Sequence, residues 1–155
     1  MRGDFLENHM RLALSIMALL VAGSAQAANC TIDLKGDDMM KFDQNSVTVS
    51  SACETVTINL QHVGKLPAQT MGHNVVVSPT AFFQATAQDG MKAGLENNYV
   101  PPNDDRVIAN TKVIGGGETS TVTFPGNKLK AGEDYTFYCS FPGHWAIMKG
   151  TLVVE

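Results

Sequence analysis

Residues 139 to 148 read CSFPGHWAIM and carry a thiol at Cys139, an imidazole at His144 and a thioether at Met148. A thiolate and an imidazole suit borderline and soft metals such as copper and zinc, and a thioether moves the preference towards copper. Pro142 and Gly143 lie between the first two donors and mark a turn, which can fold His144 back towards the Cys139 sulfur. Met148 follows at the root of the next strand, near enough to approach as a third donor. Taken singly, each has an ordinary role: Cys139 as a small buried hydrophobe, Met148 as core filler, His144 as a surface imidazole beside Trp145. A Cys–His nucleophile is disfavoured, because no orienting acid lies near in sequence and a metal-bound thiolate does not attack substrates.

A trigonal copper site takes two imidazoles, one thiolate and a weak axial thioether. The second imidazole must come from outside the ten residues, and from Ala28 onwards the chain offers only His62 and His73. His73 lies in MGHN at the start of a strand-like run, after Gly72, whose missing Cβ lets backbone approach an ion closely. Spacing alone does not bring His73 to the 139–148 loop. A sandwich with both turns at one end would.

The pattern along the chain is that of such a sandwich. TVTINLQH places Val56, Ile58, Leu60 and His62 on one face; TSTVTF turns Val122 and Phe124 inward; YTFYC aligns Tyr135, Phe137 and Cys139. VTVS, HNVVVS and the closing KGTLVVE add further strands, separated by Gly, Asn and Pro. Short period-two runs with regular turns predict an all-β, antiparallel sandwich or barrel. GGGE at 115–118 reads as a turn rather than a phosphate loop, since no Lys-Ser/Thr follows it. The exception is 78–105, where Ser78 and Pro79 look like a helix cap and first turn, Gly90 and Gly94 limit the helix, and Pro101-Pro102 end it. A short helical flap is expected there.

Arg11, the apolar run Leu12–Val21 and the small residues ending in Ala25-Gln26-Ala27 have the order of an export signal. Residues 1–27 are therefore expected to be a signal peptide, with Met10 as the true start and cleavage after Ala27, leaving one domain over 28–155. The apolar run is short of the roughly 20 residues a bilayer span needs. Nine Lys and Arg against thirteen Asp and Glu in 28–155 leave that part slightly acidic, and no basic stripe points to nucleic acid. Export implies an oxidising compartment, where two of the three cysteines should pair. Cys30 with Cys53 is the expected pair, at about 3 kcal/mol in the chain-entropy model, which leaves Cys139 odd, either deeply buried or committed to chemistry.

Together, MGHN, the later YCSFPGHWAIMKGTL, and CTIDLKG, DGMKAGL and DDRVIANTKVIGGGE resemble the azurins, small bacterial blue-copper proteins of the cupredoxin family. The resemblance extends over essentially all of 28–155, and the Cys-x4-His-x3-Met spacing separates azurins from other cupredoxins. It implies a Greek-key cupredoxin sandwich or barrel and a non-enzymatic periplasmic electron carrier that cycles one type 1 copper between Cu(II) and Cu(I). His73, Cys139 and His144 would form the trigonal plane, with Met148 and the Gly72 carbonyl on the axis. The N–H groups of Asn74 and Phe141 would donate to the sulfur, and the Asn74 side chain would tie the ligand loops. His62 would lie beside the ligands, where it either tunes the site by titrating or is simply a hydrogen-bonded core His. The electron would pass at His144, within an apolar patch drawn from Met40, Leu66, Met71 and Met91 and from Phe141, Pro142, Trp145 and Ile147. Implied partners are c-type cytochromes or copper-containing reductases, met transiently by a monomer with no membrane span after processing. Some azurins carry a buried Trp after HN, where this chain has Val75; its sole Trp is Trp145, expected to be partly exposed.

Overall fold

Alternating apolar residues build the core, and the sheets follow from them. A computed structural model describes residues 28–155; the expected signal peptide, the start at Met10 and the cleavage after Ala27 lie outside the described residues. Eight strands form two sheets. The first sheet is ordered β1 (Thr31–Gly36), β3 (Thr55–His62), β6 (Thr119–Pro125). The second is ordered β2 (Ser46–Val49), β8 (Lys149–Val154), β7 (Tyr135–Tyr138), β4 (Val76–Pro79), β5 (Ala109–Asn110). The expectation of a purely antiparallel arrangement needs correction, because β1 pairs with β3 and β2 with β8 in parallel. The chain crosses from β1 to the other sheet and back before forming β3, which makes the two neighbours run the same way. The two sheets form an open sandwich and do not close into a barrel.

The inward faces are those the alternation indicated. Val56, Ile58 and Leu60 of β3 are each at most 1 % exposed and meet Ile32, Leu34, Phe124, Phe137 and Leu152 in one core. Val122 is only partly buried against it. Cys30 and Cys53 form the expected disulfide, with Cα atoms 5.6 Å apart, and tie the start of β1 to the approach to β3. Val75, in place of the Trp of some azurins, is fully buried in the same core.

Two local features differ from what the sequence pattern alone conveys. Ser78 and Pro79 end β4 instead of capping a helix, because β4 pairs with β7 through Ser78↔Thr136 and Pro79↔Tyr135. The Ser78 hydroxyl is engaged with the Tyr138 hydroxyl at 3.3 Å. The helix begins later, as α2 (Phe83–Ala93), after the four-residue turn α1 (Ala68–Met71), and it has no side-chain cap. Gly90 lies inside α2, and Gly94 ends it at φ 78°. Secondly, β7 is buried on both faces. Tyr135 and Phe137 fill the sandwich, while Tyr138 packs under the flap with Val76, Ala87 and Val100, bordered by Phe83 and Trp145. The flap is therefore a second cover over the sheet. The segment at 115–118 is a turn as expected, with the Glu118 carboxylate accepting from the Gly115 N–H at 2.7 Å.

Candidate metal centre

The ten residues from Cys139 to Met148 connect β7 to β8, and backbone hydrogen bonds shape them. The Cys139 N–H donates to the Met148 carbonyl at 3.0 Å and closes the base of the loop. Inside it, His144 N–H donates to Phe141 O at 2.9 Å and Met148 N–H to His144 O at 2.8 Å. Gly143 takes φ 84°, a conformation that glycine reaches without strain, and so turns His144 inward. The His144 Nδ1 then lies 3.5 Å from the Cys139 sulfur.

His73 arrives from the segment between α1 and β4. Its N–H and carbonyl exchange hydrogen bonds with Ile114 at 3.0 and 2.8 Å, which anchors the backbone. Its Nε2 meets the Asp37 carbonyl at 2.7 Å. A carbonyl only accepts, so Nε2 carries the proton and Nδ1 presents a lone pair. That Nδ1 lies 3.8 Å from the Cys139 sulfur. Donor atoms of His73, Cys139 and His144 lie within 4.8 Å of one another. All three residues are buried, His144 at 3 % exposure and the others at none.

Burial sets the protonation of these groups. It pushes the Cys139 thiol up to about 12, partly opposed by the backbone N–H groups of Asn74 and Phe141. It also holds His144 down to about 4, with His73 and His62 adding repulsion, and lowers His73 in the same direction. Both imidazoles are therefore neutral at pH 7 and ready to donate lone pairs, whereas the thiol needs a nearby cation to ionise. Two neutral imidazoles and one such thiol, packed in a dry pocket, fit a soft or borderline cation, and copper in particular.

Other expected participants take up distinct places. Gly72 places its carbonyl 3.8 Å from the Cys139 sulfur. A Cβ on Gly72 would lie 2.4 Å from Ala68 O and 2.6 Å from Val113 Cγ1, so the absent side chain makes room for neighbouring protein atoms. Met148 is fully buried and packs with Cys139 and Phe141. The Asn74 amide ties the two loops as expected: its oxygen accepts the Ser140 N–H and its nitrogen donates to the Ser140 hydroxyl, both at 2.8 Å. His62 stacks on His73 with ring centroids 4.3 Å apart. Its ring is buried and hydrogen-bonded at both nitrogens, its Nε2 on the Met71 carbonyl at 2.8 Å and its Nδ1 accepting the Gly64 N–H at 3.0 Å.

The apolar residues expected around His144 differ in exposure. Ile147 is 62 % exposed, Met91 40 % and Leu66 38 %. Pro142 is exposed, Met40, Met71 and Trp145 are half-buried, and Phe141 is buried with its ring 4.6 Å from that of His144. Sequence reading passed over Met39, which is more exposed than Met40. It also passed over Gly36, where a Cβ would lie 2.8 Å from His73 Cδ2 and 3.0 Å from Met148 Cε. The signal for Gly36 was faint: a glycine ending an otherwise regular strand.

The chain from 28 to 155 matches the family of copper-binding proteins described as plastocyanin/azurin. It is 55 % identical to the azurin of Bordetella pertussis over 138 residues, spanning 88 % of this chain and 92 % of that one. With the azurin of Alcaligenes faecalis it shares 59 % over 123 residues, 79 % of this chain and 96 % of the other. With that of Pseudomonas aeruginosa it shares 50 % over 143 residues, 92 % and 96 % respectively. Among solved structures, an azurin (Az-iso2) from Methylomonas sp. strain J superposes with a TM-score of 0.78 at 41 % identity, covering 81 % of this chain and 98 % of that one.

Proposed function

This chain belongs to the plastocyanin/azurin family, as a copper-binding electron-transfer protein and not an enzyme, and from that premise we propose that it is a periplasmic carrier cycling one copper ion between Cu(II) and Cu(I) for transient redox partners. The observation that carries this reading is the convergence of His73, Cys139 and His144 in one buried cluster. His73, Cys139 and His144 would hold the copper through two imidazoles and a thiolate, with the Met148 thioether and the Gly72 carbonyl as further, weaker donors. Copper bound there supplies a one-electron couple. The residues do the rest. Asp37, Ile114 and the loop hydrogen bonds hold the donors in place, so little rearrangement accompanies a change of charge. Burial excludes water. The Asn74 and Phe141 N–H groups draw electron density from the sulfur and so favour the reduced state.

Of the four donor side chains His144 is the one with any surface exposure and is therefore the electron port. Around it, Leu66, Met91, Pro142 and Ile147 offer an apolar surface, supported by Met40, Met71, Phe141 and Trp145. Adaptable methionines and a small contact suit partners that must leave quickly, such as c-type cytochromes or copper-containing reductases. The leader-like 1–27 segment and the disulfide support export to the periplasm and a domain of 28–155, acting as a monomer. Among the described residues no helix is long and apolar enough to cross a membrane.

The test is to add Cu(II) to the 28–155 protein and record visible and EPR spectra. An intense blue thiolate-to-copper band, absent in Cys139→Ser, is expected, together with reversible voltammetry and reduction by a c-type cytochrome. A colourless adduct would sink the assignment. Ready loss of Cu(I) to a chelator would favour copper buffering over electron carriage.

A further inference from the structure

Behind the two ligand loops stands a strained piece of the flap. Asn98 and Tyr99 follow the short 3-10 turn Leu95–Asn97 and both adopt left-handed backbone, at φ 56° and 53°. Asparagine tolerates that conformation, but a bulky tyrosine adopts it only under strain, so surrounding contacts must hold it there. Those contacts lead to the metal centre. The Asn98 carbonyl accepts from the Asn74 amide nitrogen at 2.8 Å and from the Ser140 hydroxyl at 3.2 Å. The Asn98 side-chain oxygen accepts the Val113 N–H at 2.9 Å, one residue before the Ile114 that anchors His73. Next along the chain, the Tyr99 ring stands edge-on to Phe141, with centroids 5.4 Å apart.

We propose that Asn98 and Tyr99 are positioning residues for the Cys139 thiolate, holding from the flap the two peptide N–H groups, of Asn74 and Phe141, that face its sulfur. Asn98 reaches one donor residue through the Asn74 side chain, and Tyr99 reaches the other through the Phe141 ring. Neither touches a ligand atom. The left-handed pair is what directs a carbonyl towards one loop and a ring towards the other from adjacent residues. This inference rests on the copper reading of Cys139.

Glycine keeps left-handed backbone available, so Tyr99→Gly removes the ring without forcing the chain elsewhere, and Asn98→Gly removes the side-chain bond to Val113 that fixes where the Asn98 main-chain carbonyl points. The Asn98→Asp and Tyr99→Phe variants keep the acceptor and the ring. In the copper protein, each glycine variant should lower the reduction potential and shift the thiolate-to-copper band and EPR hyperfine splitting. In the reduced protein, hydrogen exchange should quicken by roughly fivefold at the Asn74 N–H in Asn98→Gly and at the Phe141 N–H in Tyr99→Gly. Tyr99→Phe should match the unaltered protein in all four readouts, and Asn98→Asp, which adds a charge, in the exchange rates. As a control, Arg106→Gln loosens the flap elsewhere, where Arg106 bridges Asp89 and Asp104. Unchanged potentials and exchange rates in the glycine variants would overturn the proposal, as would equal shifts in Arg106→Gln. Absence of a blue band in the unaltered protein strikes at the copper reading instead, and exchange in the metal-free protein still decides whether the flap holds the two N–H groups.

Discussion

At Gly36 the residue is defined by its neighbour. Because His73 Cδ2 and Met148 Cε already occupy the space of a Cβ, Gly36→Ala should displace the imidazole or the thioether. A loss of about 1–3 kcal/mol in urea unfolding is expected, with a changed EPR spectrum of the copper protein. A normal spectrum would show that the strand end yields instead. The imidazoles make a second prediction. His144 and His73 are held below the ordinary imidazole range by burial, His144 to about 4. Between pH 6.5 and about 4 the unfolded chain therefore binds more protons than the folded one, and stability falls as pH falls. Chemical unfolding of the metal-free protein should show stability intact above pH 6.5 and declining through that window, by up to about 1.4 kcal/mol per pH unit for each such group. A flat profile would mean the two rings take up protons without leaving their pockets. Cys139 and His144 of the cluster were legible because they share one short loop whose spacing survives folding unchanged. Gly36 was not, since its reason lies in side chains 37 and 112 positions away.

At the scale of elements, α2 and the 3-10 turn after it act as a lid on β7. Gly90 is the tight point, where a Cβ would lie 2.1 Å from the Tyr99 carbonyl oxygen. Gly90→Ala should therefore cost about 1–3 kcal/mol, and by pressing on Tyr99 it should also perturb the Phe141 N–H in hydrogen exchange. Alternation correctly indicated β3 and β6. For β7 it gave no sign that Thr136 and Tyr138 are buried along with Tyr135 and Phe137, because the cover over Tyr138 comes from a segment about 40 to 60 residues earlier. Ser78 and Pro79 misled for a related reason: local capping chemistry was outweighed by pairing with β7 and by the Tyr138 hydroxyl. Parallel pairing of β1 with β3 left no trace in either strand's own residues, since a strand's alternation is the same whichever way its neighbour runs.

Across the whole molecule, structural cross-link and metal centre are set apart. Cys30 precedes β1 and Cys53 approaches β3, while those strands end at Gly36 and His62 beside His73. Six residues of extended chain span roughly 20 Å. Distant sites contribute independently. Replacing both disulfide cysteines by serine should thus lower stability by about 3 kcal/mol and leave the blue band where it was. A shifted band would reveal coupling along the strands. The same separation bears on how the protein is made. Each imidazole and the sulfur are held by backbone contacts that need no cation: Ile114 and Asp37 for His73, the closed loop for Cys139 and His144. In small zinc modules the chain cannot fold until its ion arrives. Here maturation can run in the opposite order, with cross-linking and folding finished first and the ion delivered afterwards to a finished vessel. His144, the one of the three clustered side chains with any exposure, is then the expected doorway for delivery, and whichever compatible cation is abundant at that moment decides the cargo.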